Sequence, residues 1–240
     1  GLFIDLGLGK TVVTLSAIVD MIDASIIKNV LIIAPLRVCV STWPSEILNW
    51  KHTQHLKFAL AVGSANKRKA AINANAEITI INVENVPWLI KNFPFNYDAV
   101  ILDESSRFKN PSALRFRALK KVIHKSNIVV LLTGTPAAQG LTDLWSQLFL
   151  LDQGDTLGKN ITAFRKRFCD VDYWGHTYTI KPGSAEKIQE LIKPLILSMQ
   201  GSDYINLPER IDIIERIALP VKVQKQYDDF SKELFLEFDG

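Results

Sequence analysis

A glycine-rich run near the start of the chain has the composition of a phosphate-binding loop. Its residues are Gly7, Leu8, Gly9, Lys10 and Thr11. Glycines let backbone N–H groups turn towards a phosphate, a lysine can reach the β- and γ-phosphates, and a threonine hydroxyl can coordinate Mg²⁺. The complete phosphate-loop pattern is not met, because Ile4 stands at its first glycine position. A chance match at an ordinary strand-to-helix turn is therefore the alternative.

Two acidic residues provide a second candidate group. Asp103 and Glu104 directly follow the apolar run 99–102, and open α/β sheets bind ligands at the carboxyl ends of their strands. An aspartate there can hold Mg²⁺, and the adjacent glutamate can orient and deprotonate an attacking water during phosphoryl transfer. The alternative is a solvated acidic pair that caps the next segment. The strand-end position, together with the upstream glycine run, favours a nucleotide site.

A third group lies after another apolar run. Thr133, Gly134 and Thr135 precede Pro136. Hydroxyls at a strand end can hydrogen-bond the carboxylates of a neighbouring strand and so report the nucleotide state to another surface. A turn that only satisfies a helix N-terminus has the same composition, and the spacing leaves both interpretations open.

The elements needed to position these groups are visible in the hydrophobic pattern. Apolar runs of strand length occur at 2–6, 30–34, 58–62, 78–81, 99–102 and 128–132. Stretches with helical periodicity occur at 11–22, 41–50, 112–123 and 141–151. Such alternation builds crossover units on a parallel sheet, and strands without polar alternation are covered on both faces. The sequence predicts an α/β fold, a three-layer sandwich with a mostly parallel sheet.

Composition excludes several classes of protein. The 240 residues are 48% hydrophobic and 22% charged, which is globular and argues against disordered, collagen-like or coiled-coil chains. Cys39 and Cys169 lack metal-ligand spacing, so neither a disulfide framework nor a structural zinc site is indicated, and we expect a cytoplasmic protein. Apolar runs are too short to span a bilayer, so no membrane partner is expected.

The pattern changes along the chain and predicts three parts. Residues 1–152 form the nucleotide-binding core, and residues 153–220 form an appendage with a basic helix at 162–168, a hairpin at 173–180 and edge strands. Residues 221–240 form a helical connector, because apolar residues recur at helical spacing up to Phe238.

The three groups together resemble the motifs of the first motor lobe of superfamily II helicases, specifically the Swi/Snf-like branch of DNA translocases. Gly7–Thr11 is similar to motif I, Asp103–Ser106 to the DEAH-type motif II, and Leu132–Pro136 to motif III. The Asp-Leu-Trp-Ser-Gln-Leu run at 143–148 is also similar, and the Asp-Glu-Ser-Ser variant with Arg-Phe-Lys-Asn at 107–110 most resembles phage-borne members. Ser105 and Ser106 replace the family's Ala-His.

The resemblance implies a RecA-like lobe that hydrolyses ATP with Mg²⁺. It implies that Gly7, Leu8, Gly9, Lys10 and Thr11 bind ATP and that Thr11 and Asp103 hold the metal. Lys10, Asp103 and Glu104 would be the catalytic residues, with Glu104 activating water, while Thr133, Gly134 and Thr135 would couple hydrolysis to DNA. A second motor lobe with arginine fingers would complete the site, so we expect residues 1–240 alone to be incomplete for catalysis. A phage-borne protein would work in the cytoplasm of a bacterial host.

The resemblance also indicates where nucleic acid binds, namely in loops after the second and later strands. Arg37, Asn82, Glu84 and Asn85 are the candidates for contact with double-stranded DNA. Strand-end loops can present backbone N–H groups and an arginine to phosphates without reading sequence. The segment 107–125 carries seven Lys or Arg and no acidic residue, which fits either phosphate binding or a solvated helix face.

Two tryptophans flank a helix that is predicted after Arg37. Trp43 and Trp50 are expected to pack in the core, with stacking on an unpaired base as the alternative.

The sequence thus leaves three functions to compare. The first is a DNA-dependent ATPase that moves on DNA, the second is a non-catalytic nucleic-acid-binding module that keeps the fold, and the third is a P-loop ATPase that acts on another substrate.

Overall fold

A seven-stranded parallel sheet forms the framework of residues 1–205. The computed structural model describes residues 1–137, 140–173, 177–204 and 218–236. The strands in the described residues are β1 (Leu2–Ile4), β2 (Val30–Ala34), β3 (Phe58–Ala61), β4 (Ile78–Asn82), β5 (Ala99–Asp103), β6 (Ile128–Thr133), β7 (Cys169–Val171), β8 (Tyr178–Ile180) and β9 (Leu197–Met199). All except β7 and β8 belong to this sheet. The order in the large sheet is β3-β4-β2-β5-β6-β1-β9, and every pair in it is parallel. The prediction of a mostly parallel α/β sheet is confirmed.

Three strands extend one residue beyond the predicted apolar runs. Asn82, Asp103 and Thr133 are the last residues of β4, β5 and β6. Asn82 pairs in register with Ala34, Asp103 with Leu132 and Thr133 with Phe3. The ladder continues because backbone pairing does not require an apolar side chain. Three of the predicted functional residues are therefore held by the sheet itself.

Helices within residues 1–205 cover the sheet on both faces. The helices in the described part of the chain are α1 (Lys10–Asp23), α2 (Leu36–Val40), α3 (Thr42–Asn49), α4 (Ala65–Ile72), α5 (Val86–Asn92), α6 (Leu114–Lys120), α7 (Leu144–Asp152), α8 (Ile161–Phe168), α9 (Ser184–Ile192), α10 (Gly201–Tyr204) and α11 (Val221–Leu236). All four helices predicted up to residue 151 are present with shifted ends. Short helices such as α2 and α5 were missed, since about two turns or fewer give too little periodicity to recognise.

The alternating side chains of each strand enter two separate cores. On β2, Ile32 packs with residues of α1 and α3, whereas Leu31 and Ile33 pack with residues of α5, α6 and α7. Both sets are fully buried. This division explains why the strand is apolar at every position, and it confirms the three-layer arrangement.

The segment after α7 contributes a helix, a hairpin and an edge strand. The predicted basic helix is α8, and its buried residues Phe164 and Phe168 anchor it to the core. The antiparallel pair β7 and β8 is a hairpin, but its first strand begins at Cys169, ahead of the predicted start at Tyr173. Residues 174–176 lie outside the described part of the chain. Edge strand β9 pairs with β1.

The chain divides into two units, residues 1–205 and 206–240. The second contains α11, which accounts for most of the helix predicted at 221–238, while Phe238 lies outside the described residues. None of the helices in the described ranges combines the length and hydrophobicity needed to cross a bilayer.

Candidate nucleotide site

The loop between β1 and α1 has the backbone geometry of an anion-binding turn. Gly7 and Gly9 have φ of 84° and 77°, a region that side chains with a Cβ seldom adopt. Gly9 precedes the first turn of α1, and that turn contains no acidic residue. The N-terminal N–H groups of a helix carry partial positive charge. The positive φ values and the helix N-terminus are features that a phosphate-binding loop needs, and the assignment of this loop to ATP stays a prediction.

Lys10 lies across this loop. Its Nζ donates to the backbone oxygens of Ile4, at 2.5 Å, and Asp5, at 2.9 Å. These bonds hold the ammonium group at the carboxyl end of β1. The positive charge is thus placed at the edge of the sheet where the strands end.

A cavity of 450 Å³ joins the glycine-rich loop to the acidic pair. It is lined by Leu6, Gly7, Gly9, Lys10, Thr11, Val12, Pro35, Val38, Thr42, Glu46, Asp103 and Glu104. Leu8, also predicted to bind ATP, does not line it. The structure therefore brings together the first two predicted groups, which lie far apart in sequence.

Asp103 has a fixed carboxylate orientation. Its Oδ2 accepts a hydrogen bond from the indole Nε1 of Trp43 at 2.9 Å, and its Oδ1 accepts one from the Glu104 amide at 3.0 Å. Burial raises the pKa of Asp103 above its ordinary value, although both bonds favour the charged form and oppose the rise. Each oxygen accepts only one of these two bonds, and a carboxylate oxygen has two lone pairs, so the carboxylate can still bind a further ligand.

Glu104 occupies an unusual backbone conformation. Its φ of 55° and ψ of 58° lie in the left-handed region, which costs about 1 kcal/mol or more for a residue with a Cβ. Its Oε1 accepts hydrogen bonds from Ser106 Oγ and from Thr133 Oγ1, the latter at 3.1 Å. Strained residues of this kind concentrate at functional sites. We call Asp103, Glu104, Ser106 and Thr133 the carboxylate cluster.

The loop after β6 joins this cluster. Besides donating to Glu104, Thr133 Oγ1 accepts a bond from the Thr135 amide at 3.1 Å. Gly134 lies against the end of β1, since a Cβ added at this glycine would be in van der Waals contact with the carbonyl oxygen of Ile4, at 3.5 Å. Thr133 thus contacts the acidic pair directly, which favours the coupling interpretation over a turn that only satisfies a helix N-terminus, and the coupling role stays a prediction.

The predicted nucleic-acid residues form a separate group. Asn82 Nδ2 donates to Glu84 Oε2 at 2.7 Å, and Asn85 Nδ2 donates to Asn82 Oδ1 at 2.5 Å. We call Asn82, Glu84 and Asn85 the asparagine turn. Arg37 is exposed on α2 and lies outside this bonded group. The Asn82 amide lowers the pKa of Glu84 below its ordinary value.

The basic segment 107–125 is divided among several contacts. Arg107 and Arg115 lie near enough to Glu84 for their charges also to lower its pKa. Lys109 forms a 3.5 Å ion pair with Asp143, and the ammonium of Lys120 lies 4.2 Å from the ring centroid of Phe149. Part of this segment therefore borders the asparagine turn, and part contacts α7 and the residue before it.

Sequence reasoning missed the side chains that orient the acidic pair. Trp43 is fully buried, as predicted, but its bond to Asp103 had no local signal because the two residues are 60 positions apart. Ser106 was noted only as a departure from the family pattern. The prediction that Trp50 packs in the core is wrong, since it is 44% exposed. Trp50 follows the last residue of α3 in extended backbone, and its indole bonds Glu46 instead.

Comparisons with known proteins identify the family of this chain. The SNF2-related domain family matches residues 2–238. Protein p41 of Acyrthosiphon pisum secondary endosymbiont phage 1 is 37% identical over 247 residues, covering 97% of this chain and 53% of p41. DNA excision repair protein ERCC-6-like of Homo sapiens is 28% identical over 215 residues, covering 83% of this chain and 17% of that protein.

A solved structure shows the same architecture. The Sulfolobus solfataricus SWI2/SNF2 ATPase core in complex with dsDNA has a TM-score of 0.70 and 26% identity, covering 83% of this chain and 40% of that one. This chain spans about half the length of p41 and a smaller share of ERCC-6-like. The resemblance seen in the sequence motifs is confirmed by the family match and by the fold. The chain belongs to the SNF2-related domain family.

Proposed function

We propose that this chain is the ATP-binding lobe of a DNA-dependent ATPase that couples ATP hydrolysis to movement on double-stranded DNA. One observation carries the proposal. Lys10 and the glycine-rich loop share a single cavity with Asp103 and Glu104. A cation, backbone donors, a candidate metal ligand and a candidate base in one cavity are the groups that phosphoryl transfer needs.

The side chains present fit ATP with Mg²⁺. A cavity of 450 Å³ is within the range of small-molecule sites. Magnesium in nucleotide sites is usually held by one or two protein oxygens together with waters and substrate phosphates. The Thr11 hydroxyl and the oriented Asp103 carboxylate would supply those protein oxygens. The ion would neutralise charge on the phosphates when bound.

The remaining roles follow from the charges and hydrogen bonds. Lys10 and the loop amides would hold the β- and γ-phosphates. Glu104 would orient the attacking water and accept its proton. The hydroxyls of Ser106 and Thr133 hold the Glu104 carboxylate in one orientation, which limits the motion of a base that must meet its water in one geometry.

The nucleic-acid part of the proposal is supported by charge and position. The asparagine turn lies at the end of β4, with Arg107 and Arg115 nearby and Arg37 after the neighbouring strand β2. Arg37 and Arg107 are exposed, and exposed arginines and strand-end amides suit contacts with phosphates that do not depend on base sequence. The similar solved core is described as bound to dsDNA.

The wider organisation of the protein also belongs to this proposal. A second motor lobe would supply the arginine fingers, and an arginine finger contributes about 10³- to 10⁵-fold in rate. The division at residues 152 and 220 stays a prediction, as does action in the cytoplasm of a bacterial host.

The test is ATP turnover by the full-length protein with and without double-stranded DNA, for the wild type, Lys10→Ala and the exposed-lysine control Lys51→Ala. We expect DNA to stimulate the wild type and Lys51→Ala. Lys10→Ala should lose affinity for Mg·ATP by about 10- to 100-fold, because a bond to a charged group is lost, with unchanged circular dichroism.

Each alternative gives a different result. Unchanged nucleotide affinity in Lys10→Ala would contradict the phosphate-loop assignment. Turnover that ignores DNA would favour an ATPase acting on another substrate. DNA binding without turnover would favour a non-catalytic module.

A further inference from the structure

A buried polar pair lies behind the carboxylate cluster. Ser105 and Gln147 are both completely buried, and Ser105 Oγ donates to Gln147 Oε1 at 2.8 Å. Ser105 follows Glu104 directly, whereas Gln147 lies in the middle of α7. Buried polar side chains are costly unless their hydrogen bonds are made. The two residues therefore depend on each other across 42 positions of sequence.

The other end of Gln147 reaches the loop after β6. Its Nε2 donates to the backbone oxygen of Pro136 at 2.6 Å and to that of Asp143 at 3.1 Å. The hydroxyl donor on one side and the two carbonyl acceptors on the other leave only one orientation for the amide. A single side chain thus ties the segment after Glu104 to the Thr-Gly-Thr-Pro loop.

Together with the backbone, these bonds form a closed path that passes through the candidate base, Glu104. From Glu104 the chain leads to Ser105, and hydrogen bonds lead from Ser105 through Gln147 to Pro136. Backbone then leads back to Thr133, whose hydroxyl bonds Glu104. Neither loop can shift without breaking one of these hydrogen bonds or carrying the other loop with it.

We propose that Gln147 is a positioning residue that couples the loop after β6 to Glu104, through Ser105. This inference rests on the proposed function, in which DNA stimulates ATP turnover. The strained backbone of Glu104 is then held in place from both sides, by Thr133 at its carboxylate and by Gln147 at the following residue. Movement of the Thr-Gly-Thr-Pro loop changes the orientation of the base.

Three variants of the full-length protein test the link. Ser105→Ala removes the hydroxyl, Gln147→Met removes the amide while keeping an unbranched chain, and the double variant replaces both partners. The matched control is Ser146→Ala. Ser146 is also fully buried on α7, and its hydroxyl has no hydrogen-bond partner among the described residues.

The main measurement is basal and DNA-stimulated turnover, below the melting temperature of every variant. We expect Ser105→Ala and Gln147→Met to lower the stimulated rate by about 2- to 30-fold, the range that single positions in a coupling network usually carry. Basal turnover should fall by less than the stimulated rate, and KM for ATP should stay near wild type. The double variant should be no worse than the more severe single variant, because both remove one link.

Hydrogen exchange gives a readout that does not depend on turnover. Peptides covering 104–108 and 133–137 should both exchange faster in Gln147→Met and at the wild-type rate in Ser146→Ala. A purely structural role would instead lower basal and stimulated rates in parallel and would give additive effects, and this result would overturn the proposal.

The failure of this inference is distinguishable from failure of the proposed function. A stimulated wild type with an equally stimulated Gln147→Met would overturn the coupling role alone. A wild type that DNA does not stimulate would overturn the proposed function and the coupling role with it, while faster exchange in both loops would still show that Gln147 links them.

Discussion

The carboxylate cluster and the asparagine turn lie at the same edge of one sheet, yet they are built in opposite ways. Bonds to the cluster join residues that are distant in sequence, such as Trp43 with Asp103 and Glu104 with Thr133. The bonds of the asparagine turn stay within three residues. The first group depends on tertiary packing, whereas the second is formed by its own segment of chain.

The carboxylates of the two groups also have pKa values shifted in opposite directions. Burial raises the pKa of Asp103, while the Asn82 amide lowers that of the exposed Glu84. A buried carboxylate is costly to charge, but it interacts strongly with a cation that enters the same site. An exposed one costs little and is screened by salt. This difference fits the roles proposed for the two groups, which are catalysis at the carboxylate cluster and nucleic-acid contact at the asparagine turn.

The largest effect is expected for Glu104→Gln. An amide can still accept hydrogen bonds from Ser106 and Thr133 but cannot take a proton, so turnover should fall by about 10²- to 10⁴-fold. Nucleotide affinity should remain near wild type. Steady-state ATP hydrolysis and equilibrium binding measure the two quantities.

The matched variant in the other group is Glu84→Gln. Turnover without DNA should be unchanged there, because Glu84 is exposed and lies outside the cavity. Similar losses in both variants would break the distinction between the two groups.

An intermediate effect is expected for Trp43→Phe, which keeps an aromatic ring in the core and removes the donor to Asp103. The Mg²⁺ concentration needed for nucleotide binding should rise by about 10- to 100-fold, as for other residues that orient a metal ligand. The loss of a donor to the charged carboxylate raises the pKa of Asp103 further. Nucleotide binding should therefore fail at a higher pH than in the wild type as the solution is acidified.

Titration of nucleotide binding with Mg²⁺ at several pH values measures both changes. Trp50→Phe is the control, since its indole bonds Glu46 rather than Asp103. An identical Mg²⁺ requirement in Trp43→Phe and wild type would show that packing alone places Asp103.

The smallest effect is expected for Asn82→Ala, which removes the amide that bonds Glu84. The pKa of Glu84 should rise towards its ordinary value, and the free energy of unfolding should fall by about 1 kcal/mol. A lowered carboxyl pKa contributes stability above the unfolded-state pKa, and this stability is lost as pH falls through the folded-state pKa. The difference between variant and wild type should therefore shrink with acidification.

Nuclear magnetic resonance titration of Glu84 and unfolding in denaturant across pH test this prediction. A difference in stability that does not change with pH would show that Asn82 acts through packing rather than through Glu84.

Much of the architecture could be predicted because it follows from local patterns. Apolar runs of strand length alternated with helical periodicity, and six of the strands in the large sheet were found at the expected places. The hairpin start and the short helices were not, since a three-residue strand or a helix of about two turns or fewer shows too little periodicity to recognise. The ends of β4, β5 and β6 were also missed by one residue, because the pattern follows side-chain polarity and the ladder follows backbone pairing.

The glycine-rich loop and the acidic pair could be recognised in the sequence because each is a contiguous motif whose chemistry depends on residue type. Their shared cavity, the indole bond to Asp103 and the Ser105–Gln147 link could not. These contacts arise where parallel strands bring distant segments to one edge of the sheet, so no local pattern records them. The amino-acid sequence by itself determined which chemical groups the protein carries and the layered fold that holds them. Only the tertiary structure decided which of those groups meet, because contact between them depends on strand order and packing rather than on spacing along the chain.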